Sequence, residues 1–181
     1  MALTKSTITL PTWITLSRLI GIPWLIYALQ PGITFSRWWA VLVFLIIAST
    51  DWLDGYLARR LNQVTDLGKF LDPLVDKLMV MGPLLSLLAL DRVSVWGVFL
   101  VLGREIAIAG WRVSQPKISG ANLWGKLKTI SQILAIAVLI APLSSQGGFP
   151  WPEIAEFLFW LAVALTLISG AIYLLPQPTQ D

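Results

Sequence analysis

Charge is distributed along this chain in a way that leaves few folds open. Three stretches, 19–36, 129–152 and 157–180, contain no Asp, Glu, Lys or Arg, and three shorter ones, 38–50, 78–90 and 93–103, are equally free of them. A helix needs about 20 mostly apolar residues to cross a bilayer. Each short stretch adjoins helix-compatible sequence that carries ionised groups. Extending them predicts six spans near 11–30, 38–60, 69–90, 93–113, 122–143 and 154–175. The connections are short, and the one at 144–153 holds Gly147, Gly148, Pro150 and Pro152, a hairpin break. The expected fold class is therefore an all-α polytopic membrane protein with six transmembrane helices, forming a single membrane-embedded domain over residues 1–181.

Composition agrees and removes whole classes of function. Only 13% of residues are charged and 56% are hydrophobic, where an average soluble domain carries about 25% charge. Mean hydropathy is +0.75, which argues against a soluble enzyme or a disordered chain. With no His and no Cys, zinc fingers, thiol chemistry and His-based triads have no residues to build them. The net charge of +3 comes without a basic groove interleaved with aromatics, so no nucleic-acid partner is expected. The first ten residues lack the apolar core and small-residue site of a cleavable signal peptide.

The sign of the charges supplies an orientation. With Lys5 in the cytoplasm, 11 of the 13 Lys and Arg fall on the inner side or in inner helix halves, and only Arg37 and Arg92 fall outside. This is the positive-inside pattern. Trp38, Trp39, Trp96 and Trp151 fall at outer helix ends and Trp13, Trp111 and Trp124 near inner ends, as aromatic belts do. The expected location is a bacterial-type inner membrane, with the polar ends facing the cytoplasm. A charge-free run such as 38–50 covers only about 20 Å of a hydrocarbon core of about 30 Å. Ionised groups must then lie within the helix bundle, where facing lipid would cost at least a few kcal/mol each. They are expected to line a polar cavity, and an intramembrane charge cluster is a functional site by default.

Asp51, Asp54, Gly55 and Ala58 follow i, i+3, i+4, i+7 and share one helix face. Gly68, Asp72 and Asp76 follow i, i+4, i+8 and share another. A short turn between the two helices would let four carboxylates meet. They would repel unless neutralised, and all-oxygen ligation without His or Cys suits Mg²⁺ or Mn²⁺, with four acids supporting two ions. The competing reading is a set of structural salt bridges to Arg59, Lys69 and Lys77, with the glycines and Ala58 serving close helix packing.

The pattern Asp51-x₂-Asp54-Gly55-x₂-Ala58-Arg59-x₈-Gly68-x₃-Asp72-x₃-Asp76 resembles the complete signature of the CDP-alcohol phosphatidyltransferase family, matching all eight fixed residues at their spacing. The resemblance implies a homodimer of six-helix subunits in the lipid bilayer, with the site open to the cytoplasmic leaflet. It implies that Asp51, Asp54 and Asp72 hold metal with Asp76 beside them, and that Asp76 is the general base. Gly55, Ala58 and Gly68 would lie against the cytidine and diphosphate, and Arg59 would pair with a phosphate. Thr15 is placed with the residues that bind the CDP-lipid, a helix-packing role being the alternative for it and for Arg18. The implied chemistry is attack of an acceptor hydroxyl on CDP-diacylglycerol with direct loss of CMP.

The acceptor is read from the remaining cations. Arg104, Arg112, Lys126 and Lys128 are offset nearby only by Glu105. Such an excess suggests an anionic acceptor whose phosphate these four bind, although Lys126 and Lys128 could instead snorkel to headgroups. The segments 10–18, 63–73, 104–112 and 125–132 resemble the bacterial phosphatidylglycerophosphate synthases within the family, which implies glycerol 3-phosphate. Thr12 departs from the Asn often found there, and the 113–121 loop is short. Alternatives are another acceptor (inositol phosphate, serine or phosphatidylglycerol) and a transporter, for which repeats or broken helices would be expected.

Overall fold

A computed structural model describes residues 10–33, 36–60, 66–113, 123–143 and 149–174; at 10–12, 51–60, 66–70, 112, 113 and 174 the description covers the backbone alone. Every regular element among them is helical: α1 (Leu10–Ala28), α2 (Arg37–Arg60), α3 (Asp66–Ala89), α4 (Val95–Val113), α5 (Leu123–Ile140) and α6 (Trp151–Leu174). Each predicted span corresponds to one helix, with ends displaced by three residues at most. Displacements of that size fall at the starts of α3 and α6 and at the end of α5, and α6 shows a plain cause for its own. It starts at Trp151 rather than 154 because Pro152 falls in the first turn, where a missing N–H costs nothing, and Glu153 complements the helix dipole there. α5 over Leu123–Ile140 and α6 over Trp151–Tyr173 are long and apolar enough to cross a bilayer; Trp13–Ala28 and Arg37–Thr50 are shorter apolar stretches.

The helices form two compact units, Met1–Ser86 and Leu87–Asp181. In the first, α1 packs on α2. Gly21 sits so close to α2 that a Cβ there would lie 3.0 Å from the Ile47 Cδ1 atom. Gly82 brings α3 equally near α1, with Ile22 and Ile26 against it. Ile22, Leu25, Phe44, Val75 and Met79 form the apolar interior. In the second unit α6 is central, with α4 and α5 both packed on it. Its interior includes Val98, Val101, Ile136, Ile140, Phe159 and Val163.

Both units place polar groups inside and large apolar groups outside. Thr15, Arg18, Gln132, Thr166 and Ser169 are buried, while Ile20, Trp96, Phe99, Ile130 and Phe157 are exposed. A water-soluble domain shows the reverse preference for such residues.

α3 ends in a Schellman cap. The Arg92 N–H donates to the Leu87 carbonyl at 2.9 Å and the Asp91 N–H to the Leu88 carbonyl at 3.0 Å. Asp91 takes the left-handed conformation, φ 54°, a position that usually calls for Gly or Asn.

Among the described glycines the closest approach is at Gly97, where a Cβ would lie 2.4 Å from the Phe159 ring. Gly97→Ala must displace the Phe159 ring or part α4 from α6 and is expected to lower stability by about 1–3 kcal/mol. Gly103→Ala, with nothing within 4 Å of the new atom, leaves it unchanged or higher. Thermal midpoints in detergent check this; equal midpoints for Gly97→Ala and the parent would refute it.

Candidate active site

In the first unit, α1 and α3 build one polar cluster. Asp72 and Asp76 are a turn apart on α3 and project from one face, with buried Val75 on the packed side. Thr15 and Arg18, at i and i+3 on α1, are both buried at 2% exposure. The Thr15 hydroxyl donates to Asp72 Oδ1 at 3.0 Å. The Arg18 guanidinium lies 3.6 Å from Asp76 Oδ1, with the arginine side chain 1% exposed and the aspartate 51%. A buried guanidinium is tolerable only beside a compensating carboxylate. α1 thus acts as a rack behind α3: it holds two carboxylates from their buried side and leaves Asp76 half in the open. Lys77 does not join them; its Nζ donates to the Pro73 carbonyl at 2.9 Å.

The backbone of α2 stays helical through Arg60, and α3 begins at Asp66. The helical register expected for Asp51, Asp54, Gly55, Ala58 and Arg59, and for Gly68, therefore holds along the chain. Their side chains, and that of Arg112, lie outside the described residues. Among the described residues no three potential ligands gather. The donors that are described suit the metal expected here: Asp72 and Asp76 offer oxygen alone, a turn apart, which fits a hard divalent cation.

The second unit holds a separate basic cluster. Arg104 Nη1 donates to Glu105 Oε1 at 3.2 Å, and Lys128 Nζ donates to the same oxygen at 2.6 Å. The three side chains are 9%, 14% and 13% exposed in the order Arg104, Glu105, Lys128. Arg104 Nη2 donates to the Ser169 hydroxyl at 2.9 Å, and its guanidinium carbon stands 5.9 Å from the centre of the Tyr173 ring. Lys126 is exposed. It is two residues from Lys128, and that spacing puts the two on different sides of α5. Arg104 and Lys128 are thus brought together, and Lys126 is not brought to them.

Sequence reasoning placed the helix α6 but singled out none of the α6 residues that meet Arg104. Thr166, Ser169, Gly170 and Tyr173 repeat at i, i+3, i+4, i+7 in a stretch without a charge, and that spacing was the available signal. A cavity of about 490 Å³ opens elsewhere in this unit, among Arg92, Leu139, Trp151 and Trp160, and includes none of the expected site residues.

One unit thus holds two carboxylates of α3 against α1, the other holds Arg104 and Lys128 about one carboxylate, and both do so in an apolar helical chain, as a membrane-type protein would. A family model described as CDP-alcohol phosphatidyltransferase matches residues 8–168, and the chain belongs to that family. The family is generally divalent-metal dependent. Three relatives illustrate the similarity. Proteins named CDP-diacylglycerol–glycerol-3-phosphate 3-phosphatidyltransferase from Bacillus subtilis and Escherichia coli K12 are each 38% identical, over 91% of this chain and 92% of their own. An Arabidopsis thaliana protein, the second of that name, is 38% identical over 95% of this chain and 81% of its own.

The α1 rack is testable without substrate. Thr15→Val keeps the shape of the side chain and deletes the donor to Asp72, which is expected to cost about 1–3 kcal/mol. Thr15→Ser retains the donor and is expected to recover most of the loss. Detergent melts of the three proteins check it, and a valine variant as stable as the parent would refute the rack.

Proposed function

We propose that this chain is a phosphatidylglycerophosphate synthase: it transfers the phosphatidyl group of CDP-diacylglycerol to glycerol 3-phosphate and releases CMP. The observation that carries the reading is the pair Asp72 and Asp76, held by Thr15 and Arg18 with Asp76 half-exposed, in a chain of this family. The names of the relatives support the choice of donor and acceptor.

In this reading residues 1–181 form one catalytic domain with six membrane spans, in a homodimer. The chain lies in a bacterial-type inner membrane with its active site facing the cytoplasm. The inward bias of Lys and Arg supports that orientation, and the exposed aliphatic and aromatic faces of the helices support the placement in a membrane.

Asp51, Asp54, Asp72 and Asp76 would hold Mg²⁺ or Mn²⁺, two ions in all; when bound, such cations offset charge on the diphosphate and on the transferring group. The rest is done by side chains. Gly55, Ala58 and Gly68 give the nucleotide close access to the backbone, and Arg59 pairs with a phosphate. Thr15 supports this CDP-lipid site through its bond to Asp72. Arg104 and Lys128, with Arg112 and Lys126 as further candidates, hold the phosphate of the acceptor. The acceptor hydroxyl gives its proton to the Asp76 carboxylate. Its oxygen bonds to the lipid-linked phosphorus as the bond from that phosphorus to the bridging oxygen breaks. CMP departs with that oxygen.

Purified protein with CDP-diacylglycerol and Mg²⁺ or Mn²⁺ is expected to release CMP with glycerol 3-phosphate, and not with inositol phosphate, serine or phosphatidylglycerol. Release with another acceptor alone would refute the acceptor assignment and keep the carboxylate chemistry. Asp76→Asn is expected to retain CDP-lipid binding and to lose at least 100-fold in turnover, about the smallest contribution typical of a general base. Normal turnover would refute the base assignment. Asp51→Asn is expected to weaken metal binding, and unchanged metal affinity would remove it as a ligand.

A further inference from the structure

The Arg104 side chain is more enclosed than a surface phosphate-binding arginine would be. It is 9% exposed, and α6 meets it at three successive positions of one face. Ser169 accepts from Nη2 at 2.9 Å. The single proton of that hydroxyl is committed to the Thr166 carbonyl at 3.0 Å, so its lone pairs face the guanidinium and its orientation is fixed. Gly170 lies under the stem: a Cβ there would stand 2.9 Å from the Arg104 Cγ atom and 3.0 Å from Nε. Tyr173 presents its ring 5.9 Å from the guanidinium carbon, within cation–π range.

The support continues behind α6. Thr166 donates to the Ala162 carbonyl at 2.6 Å and accepts from Gln132 Nε2 of α5 at 2.9 Å. Thr166, Ser169 and Gln132 are at most 3% exposed. Thr166 is thus tied to α5 through its hydroxyl, and its backbone carbonyl in turn anchors the Ser169 hydroxyl that meets the Arg104 head. Inside this frame Arg104 Nε is buried without a hydrogen-bond partner. A buried donor left unsatisfied is costly and calls for an acceptor.

We propose that Ser169 and Gly170 of α6 are positioning residues for the anion subsite of the acceptor, fixing the Arg104 guanidinium in the pose that receives a phosphate. The proposal rests on the acceptor reading given above. Neither residue touches substrate. Ser169 sets the direction of the guanidinium, and the missing side chain at position 170 leaves room for its stem.

The test is a split between two Michaelis constants in the full-length detergent-solubilised enzyme. Ser169→Ala is expected to raise KM for glycerol 3-phosphate about tenfold, the scale of one hydrogen bond to a charged group, with KM for CDP-diacylglycerol unchanged. Ser169→Thr, which keeps the hydroxyl, is expected to stay near the parent. Gly170→Ala is expected to reproduce the alanine effect by displacing the arginine stem. Ser169→Cys preserves shape with a weak acceptor and serves if the alanine variant fails to fold. Equal rises in both constants would mean a general structural role and would overturn the proposal. Arg104→Ala separates the two layers of inference. If it raises KM for glycerol 3-phosphate while the α6 variants do not, the positioning role fails alone. If it leaves that constant unchanged, the acceptor reading fails and takes the positioning role with it.

Discussion

An ionised side chain among apolar helices has to be held by something, because the alternative is a charge stranded in a medium that solvates it poorly. That requirement organises both units of this protein. Arg18 is almost fully enclosed and has Asp76 beside it. Arg104 is nearly as enclosed and is met by Glu105 and Ser169. The glycines follow from the same demand. Gly82 lets α1 and α3 approach closely enough for Thr15 and Arg18 to reach the aspartates, and Gly170 does this for α6 and Arg104. Close packing and charge placement are here one constraint.

Prolines are admitted for a related reason. Pro23 lies inside α1, and Pro73 and Pro83 lie inside α3. Each deletes a backbone donor and frees a carbonyl a turn earlier. In an apolar setting a freed carbonyl needs another partner, and polar side chains on neighbouring turns are a general source of one. The Lys77 ammonium instead bonds to the carbonyl of Pro73 itself. That contact keeps Lys77 off Asp72 and Asp76, which both precede it in sequence.

The parts of this architecture that are legible in the sequence are those written in charge. Six helices follow from runs without ionised residues, and the faces bearing Asp51 and Asp54, or Asp72 and Asp76, follow from helical spacing. The parts that are not legible are written in residues with two meanings. Ser169, Gly170 and Thr166 on a charge-free span read as packing residues until Arg104 is seen against them. Arg18 reads equally as a packing residue or a site residue, and its 3.6 Å approach to Asp76 depends on how α1 and α3 pack, which spacing along one helix does not give. Lys126 and Lys128 read as one basic pair because they are close in sequence, yet a helical period parts them. Asp91 occupies a left-handed cap where a glycine would have announced the end of α3.

The two clusters share a device that full ion pairing would not supply. In each, a charge meets a hydroxyl: Thr15 donates to Asp72, and Ser169 accepts from Arg104. A hydroxyl serves both signs because it is a donor and an acceptor at once. It fixes direction without adding an opposite charge, which is what the proposed cation at Asp72 and the proposed phosphate at Arg104 would each require. A second carboxylate in place of Ser169 would hold Arg104 more strongly and would also compete with an anionic ligand for it. Where a charge must be both rigid and available, a neutral hydrogen-bonding partner satisfies the first condition without defeating the second. This accounts for short hydroxyl side chains at positions 15 and 169, on helix faces otherwise given to packing.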